Sequence, residues 1–259
     1  MSTIITRTVV AVVVAGLLAP MTHANEPSDP AAESVRDDAI SKIIAWRTQS
    51  GESALTKKSR LDDSQPWLTA QGLLMATYGI GQDDKLVKQG LDILTAQAKK
   101  SPEDPVAEYY RGLVLGWTDQ REKATAAWQS SKQRAKALVD KDSKDARAQY
   151  YLGASLVQLK KPVDARKALK KAERAGWDKP MVDFQYGLSY MLQENWKAAK
   201  SSFDAVHELD PRFAHLYFYR ALAWDKLGRK DQAINDLDQF VRLAPNSNEA
   251  KTARAILQR

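Results

Sequence analysis

Cysteine is absent from all 259 residues of this chain. No disulfide can therefore form, no thiol can act as a nucleophile, and a lipid anchor that needs a cysteine at its cleavage site is excluded. Histidine is almost as scarce, with three in the chain, at His23, His207 and His215. None has HExxH or other metal-ligand spacing around it, and neither a GxSxG turn nor a phosphate-binding glycine loop occurs elsewhere. Carboxylates are plentiful but dispersed along amphipathic segments. The chain is therefore expected to be non-catalytic, with no metal and no cofactor. Ten prolines and twelve glycines are too few for a fibrous or disordered polypeptide, while 44% hydrophobic side chains can fill a large core, as one or two domains or as one continuous array.

Long apolar runs are lacking too, with one exception at the N-terminus. Arg7 precedes an uninterrupted apolar run from Val9 to Ala19, Pro20 breaks it, and Thr22-His23-Ala24 places small residues where a signal peptidase reads. This predicts a secretory signal over 1–24, cleaved after Ala24. As a helix the run rises roughly 16 Å, about half of a hydrocarbon core of about 30 Å, so an uncleaved inner-membrane anchor is the lesser alternative. Export without cysteine fits a periplasmic protein of the bacterial envelope, held together by core packing. A formal charge of +7 suits an anionic partner, but export removes nucleic acid from the candidates.

What the chain does have is self-similarity. From Ala146 to Ser247 it repeats three times with a period of 34 residues and no insertion, over 146–179, 180–213 and 214–247. Ala165, Ala199 and Ala233 fall in one column, with Gly153, Gly187 and Ala221 twelve residues ahead of each. A period of that length marks a stacked array of helix pairs. Two degenerate repeats precede these, at 66–102 and 105–145, and 248–259 has the pattern of a terminal helix that covers the last repeat. Residues 25–64 form a helical lead and linker, with an apolar stripe of Val35, Ala39, Ile43 and Trp46 on a helix that starts at Pro30. The spacing from Gly112 to Gly153 is 41, seven more than the period. Seven residues are almost two helical turns, so the insertion should lengthen a second helix through Ala135 and Leu138.

The column chemistry suggests why the period holds. Small residues at Gly153 and Ala165, Gly187 and Ala199, and Ala221 and Ala233 let two antiparallel helices approach closely. Bulky residues such as Tyr190, Phe203, Trp224 and Phe240 fill the space between pairs. Pro211 and Pro245 stop the second helices, and Gly176 takes over that task in the first strict repeat. The first helix of the pair at 66–102 should show one apolar face of Trp67, Leu68, Gly72, Met75 and Tyr78.

These columns resemble the tetratricopeptide repeat. Its pattern is met by Tyr151-Leu152-Gly153-Ala154 with Ala165, and by Tyr186-Gly187-Leu188-Ser189-Tyr190 with Ala199, Phe203 and Pro211. Tyr217, Ala221, Trp224, Gly228, Ala233 and Pro245 meet it again, where Arg220 departs from leucine. The resemblance implies an all-α right-handed superhelix, a solenoid of stacked antiparallel helix pairs with a C-terminal capping helix. First helices would line a concave surface, and the protein would serve as a scaffold or adaptor for another envelope protein or complex.

On that surface one column reads Tyr109, Tyr150, Phe184 and Phe218, joined by Met181, Leu188, Met191 and His215. Two readings stand side by side. The rings anchor a partner segment in a hydrophobic groove, or they pack between neighbouring first helices. The family's terminal-carboxylate clamp needs lysine in this column and asparagine in the next, which instead reads Tyr110, Tyr151, Gln185 and Tyr219. The clamp is absent. An alternative surface is the face of Lys167, Lys170, Lys171 and Arg174, spaced i, i+3, i+4 and i+7 on a second helix. It would make weak contact with anionic lipid or glycan, or stand simply solvated.

Overall fold

A computed structural model describes residues 66–258 apart from Gln82 and Asn246. The expected signal and the helical lead and linker of 25–64 lie outside the described residues. Among those described, eleven α-helices follow one another and no strand occurs: α1 (Pro66–Gly79), α2 (Asp84–Lys100), α3 (Val106–Trp117), α4 (Arg121–Lys141), α5 (Ala146–Gln158), α6 (Pro162–Arg174), α7 (Lys179–Met191), α8 (Trp196–Leu209), α9 (Ala214–Lys226), α10 (Lys230–Leu243) and α11 (Asn248–Leu257). They stack as five successive pairs, α1–α2 to α9–α10, with α11 packed on α10. Each first helix also touches the first helix of the next pair, from α1 to α9. The architecture is an all-α solenoid. The seven extra residues are taken up in α4, which has 21 residues where α6, α8 and α10 have 13 or 14.

Starts and stops follow local chemistry. Asp145, Asp178, Asn195 and Ser247 each accept a hydrogen bond from the backbone N–H three residues on, satisfying a donor left free at a helix start. The turn inside each pair is equally regular. Asp119, Lys160, Glu194 and Gly228 occupy left-handed backbone with φ of 59°, 56°, 56° and 74°. The next residue's N–H then reaches back to the carbonyls of Leu115, Leu156, Tyr190 and Trp224 at 2.8–3.0 Å. That is the 6→1 bond of a Schellman stop. Gly176, with φ of 86°, repeats the device at the end of α6, where Trp177 N–H donates to Ala172 O at 3.0 Å. The glycine replaces the proline stop used after α8 and α10.

The close crossing within a pair differs from its expected form. Small residues do not chiefly face one another. A Cβ on Gly153 would lie 2.7 Å from Leu169 Cγ, one on Gly187 would enter the Phe203 ring, and one on Gly112 would enter the Trp128 ring. The glycine leaves room for the large side chain four residues beyond the alanine column. The alanines Ala124, Ala165 and Ala199 are themselves fully buried, so each crossing combines one hole, one knob and one small neighbour. In α1 the expected single stripe is too narrow. Every residue from Thr69 to Thr77 is buried, because Ala70, Leu73, Leu74 and Ala76 add apolar side chains around the rest of the helix.

Arg220, the position that departs from the consensus leucine, is explained by its partners. Its guanidinium donates to both Asp236 oxygens at 2.8 Å and to Asp204 Oδ1 at 3.0 Å, joining α8, α9 and α10. Asp236 is buried, so removing the arginine strands its charge. Arg220→Leu restores the family residue yet should destabilise the fold by roughly 3 kcal/mol, the scale for breaking a buried pair from one side. Urea unfolding followed by circular dichroism checks this, and Arg220→Leu with Asp236→Leu should recover most of the loss.

Candidate functional site

The first helices of the pairs carry their inward side chains in the same 34-residue register as the repeat. In the first turn this places Met181 and His215 in line on α7 and α9, and Glu249 continues the line on the capping helix α11. Three residues further on come Tyr109, Tyr150 and Phe184, and beside them Tyr110, Gln185 and Tyr219. Leu113 with Leu188, and Trp117 with Gln158, complete the set. Together these residues line a pocket of about 110 Å³. Every one comes from α3, α5, α7, α9 or α11, and none from a second helix. The pocket therefore lies on the surface that the first helices line.

Hydrogen bonds across repeats draw this surface tight. Gln185 Nε2 on α7 donates to Tyr109 Oη on α3 at 3.2 Å, spanning two repeats, and the Tyr110 and Tyr151 hydroxyls meet at 3.3 Å. Aromatic packing does the rest. Tyr150 stacks on Trp177 at 5.2 Å, Tyr109 meets Tyr151 edge-on at 5.6 Å, and Phe184 packs against Phe203, Phe213 and Tyr219. Tyr109, Tyr150, Phe184 and Phe218 are between 0% and 8% exposed. All four rings thus pack between helices, and three of them also form the pocket floor. Phe218 sits off the pocket against Tyr219 and Phe240. Met191 is partly buried and also off it, whereas Met181, Leu188 and His215 belong to the lining.

Burial sets the electrostatics. It pushes the Tyr109 hydroxyl up to about 12, with the Gln185 and Gln158 amides offsetting a little of the rise. Tyr150 is driven well above its ordinary value of 10.0, first by burial and then by the neighbouring Tyr109 and Tyr110. Tyr219 rises through burial and the nearby Glu249 charge. Burial alone would raise Glu249 as well, but His215, whose Nε2 lies 3.7 Å from Glu249 Oε2, outweighs it and holds the carboxyl below its usual range. The other histidine is structural. His207 Nδ1 lies 3.0 Å from Tyr217 Oη, which in turn donates to Pro211 O at 2.7 Å. Among the described residues no group of His, Asp and Glu could hold a metal ion, and no helix is long and apolar enough to cross a membrane.

The alternative basic face lies elsewhere. Lys167, Lys170, Lys171 and Arg174 are all exposed on α6, and Lys167 pairs with Asp164 at 3.1 Å. Their neighbour Arg166 is not part of this face. It reaches α7, where it donates to Ser189 Oγ at 3.3 Å and Gln193 Oε1 at 2.6 Å and lies 4.6 Å above the Tyr190 ring. Sequence reasoning used Tyr110, Gln185 and Tyr219 only to argue against the carboxylate clamp, and did not single out Leu113, Trp117, Gln158 or Glu249. The repeat register carries the signal for Glu249, which falls one period after His215 and two after Met181.

A stack of helix pairs built on one 34-residue register defines a helical repeat protein. Residues 123–180 and 185–256 match the family model of the tetratricopeptide repeat, and the chain belongs to that family, whose members are generally non-catalytic scaffolds. Among solved structures it is similar to a thermophilic TPR protein of Thermus thermophilus, at 19% identity over 75% of this chain and 100% of that one, with a TM-score of 0.56. It is also similar to the MamA protein, at 17% identity over 71% of this chain and 94% of that one, TM-score 0.42. YrrB, a TPR protein with an unusual peptide-binding site, shares 19% identity over 78% of this chain and 98% of its own, TM-score 0.40. At these identities the likeness is one of fold. A comparison with curated protein sequences gives no match.

The buried tyrosines make the fold sensitive to alkali. An acid whose pKa is raised on folding contributes stability that is complete below its unfolded pKa and is lost as pH rises through the folded one. For Tyr109 that window runs from 10.0 to about 12, and the loss approaches about 1.4 kcal/mol per pH unit. Absorbance titration at the phenolate band should show a step near 12 that Tyr109→Phe removes, with stability level below pH 10.

Proposed function

We propose that this protein is a non-catalytic scaffold of the bacterial envelope that holds a segment of another envelope protein at its concave face. The pocket carries this assignment, because it gathers side chains from five helices, α3, α5, α7, α9 and α11, into one cleft. Stacking alone favours filled space, and stability alone gives no reason to keep such a cleft open. Leu113, Trp117 and Leu188 stay partly exposed on it, which suits contact with a partner segment. The family's general use as a protein-binding scaffold points the same way.

A second surface has one observation in its favour. Lys167, Lys170, Lys171 and Arg174 share one exposed face of α6, where anionic lipid or glycan would gain from four positive charges. Such binding weakens steeply with salt, whereas a segment held in the apolar pocket tolerates it.

The rings of the pocket floor are unsuitable probes, since truncating a fully buried aromatic costs about 3–5 kcal/mol and threatens the fold. The partly exposed Leu188 is the better choice. Affinity capture from envelope extract with Leu188→Lys should lose the partners that the wild type retains through salt washes, with an unchanged helical spectrum. Partners kept by Leu188→Lys but lost with charge reversal at Lys170 and Lys171 would place binding on α6 instead. Export rests on Arg7, the Val9–Ala19 run and the small residues before Asn25. The protein recovered from the periplasmic fraction is expected to begin at Asn25; a chain that keeps Met1 and pellets with membranes contradicts the cleaved signal.

A further inference from the structure

We infer that the concave pocket selects a guanidinium group, the arginine side chain of the partner's segment. This rests on the scaffold assignment and specifies the chemistry of what it holds.

Charge complementarity points to a cation. In a chain of net charge +7, the pocket lining contains one carboxylate, Glu249, and neither lysine nor arginine. His215 takes one side of that carboxylate at 3.7 Å, but a carboxylate offers about four lone-pair sites and can accept further donors. Gln185 gives its Nε2 to Tyr109 and leaves its carbonyl oxygen without a hydrogen-bond partner. Tyr150 Oη is buried beside that amide, which offsets part of the rise of its pKa. The polar part of the lining is thus rich in acceptors. An anionic ligand would meet a like charge, and the one basic side chain of the lining, His215, is already turned to Glu249.

Size and ring geometry favour guanidinium over other cations. A cavity of about 150 Å³ accommodates benzene, so the 110 Å³ here suits a smaller, flat head group on a narrow stem. A pocket of this volume does not admit a helix about 10 Å across. A planar guanidinium stacks on aromatic faces and donates in its own plane to carboxylate and amide oxygens at once, which a compact ammonium does not. The chain already contains this arrangement. Arg166 places its guanidinium 4.6 Å over the Tyr190 ring while donating to the Gln193 carbonyl at 2.6 Å. The pocket offers related elements, the partly exposed Tyr219 ring with glutamine carbonyls, and adds a carboxylate, with the cation left to come from outside.

The test uses acetyl-Gly-Arg-Gly-amide as probe, titrated into the mature chain and followed by calorimetry and by the NMR signals of the Trp117 indole. Saturable binding is expected, about tenfold weaker for the citrulline and lysine versions, the scale of one lost charge-assisted hydrogen bond. The glutamate version should not bind. Glu249→Gln should weaken the arginine probe by about tenfold with the helical spectrum kept. Gln158→Lys, which sets a fixed cation at the pocket, should block it independently. Equal affinity for lysine or citrulline, binding indifferent to Glu249→Gln and Gln158→Lys, or no saturable binding would each overturn the assignment. If the arginine probe fails while Leu188→Lys still loses its captured partners, the scaffold function stands and the guanidinium selection falls.

Discussion

The whole solenoid depends on how closely two helices of one pair can cross. A glycine on the first helix opens a hole, and Trp128, Leu169 or Phe203 on the second helix fills it. Close packing of this kind leaves little tolerance for an added methyl. The left-handed residue in the turn, at Asp119, Lys160, Glu194 or Gly228, brings the second helix back at the angle that the crossing needs. Because hole, knob and turn recur in α3–α4, α5–α6 and α7–α8, each of these pairs presents the same face to the next. A linear stack follows with no further instruction.

Regular stacking is also what brings distant residues together. The first helices lie side by side on one surface, so residues in the same column of successive repeats become neighbours. Gln185 reaches Tyr109 across two repeats. Tyrosine hydroxyls on this surface are buried, and burial raises Tyr109, Tyr150 and Tyr219. The pocket is the space left over where α3, α5 and α7 converge toward α9 and α11. Its floor is aromatic because the packing between first helices is aromatic, so floor and spacer are the same side chains.

Where the repeat pattern lapses, buried charge takes its place. Arg220 replaces an apolar side chain and ties α8, α9 and α10 through Asp204 and Asp236. Arg134, on the lengthened α4, does similar work at the degenerate end. It donates to the carbonyls of Ala98, Ser101 and Asp104 and to Glu108, so one guanidinium satisfies groups left open where α2 ends. Ser131 adds a bond to Pro105 O at 2.9 Å, and Ser155 bonds to Ser131 at 3.0 Å. These contacts add polar ties between the degenerate repeats and the first strict one.

By itself the sequence determined the period, the helix pairs, the turns and the family, because each is a local property: spacing of apolar residues, capping side chains, glycine at a left-handed turn. It also determined that the seven-residue excess between Gly112 and Gly153 would remain in helical phase. Four matters were decided only by tertiary structure. One was that Gly187 faces Phe203 rather than Ala199; another was that Arg220 is paired and buried. The third was that Tyr109, Tyr150 and Phe184 serve as packing and pocket floor together, between which the column alone could not choose. The last was that Glu249, on the capping helix, joins His215 and Met181 at one pocket. The reason is common to all four. Which way a side chain points, and what it meets, depends on how helices from one or several repeats pack together, which apolar spacing along the chain does not specify.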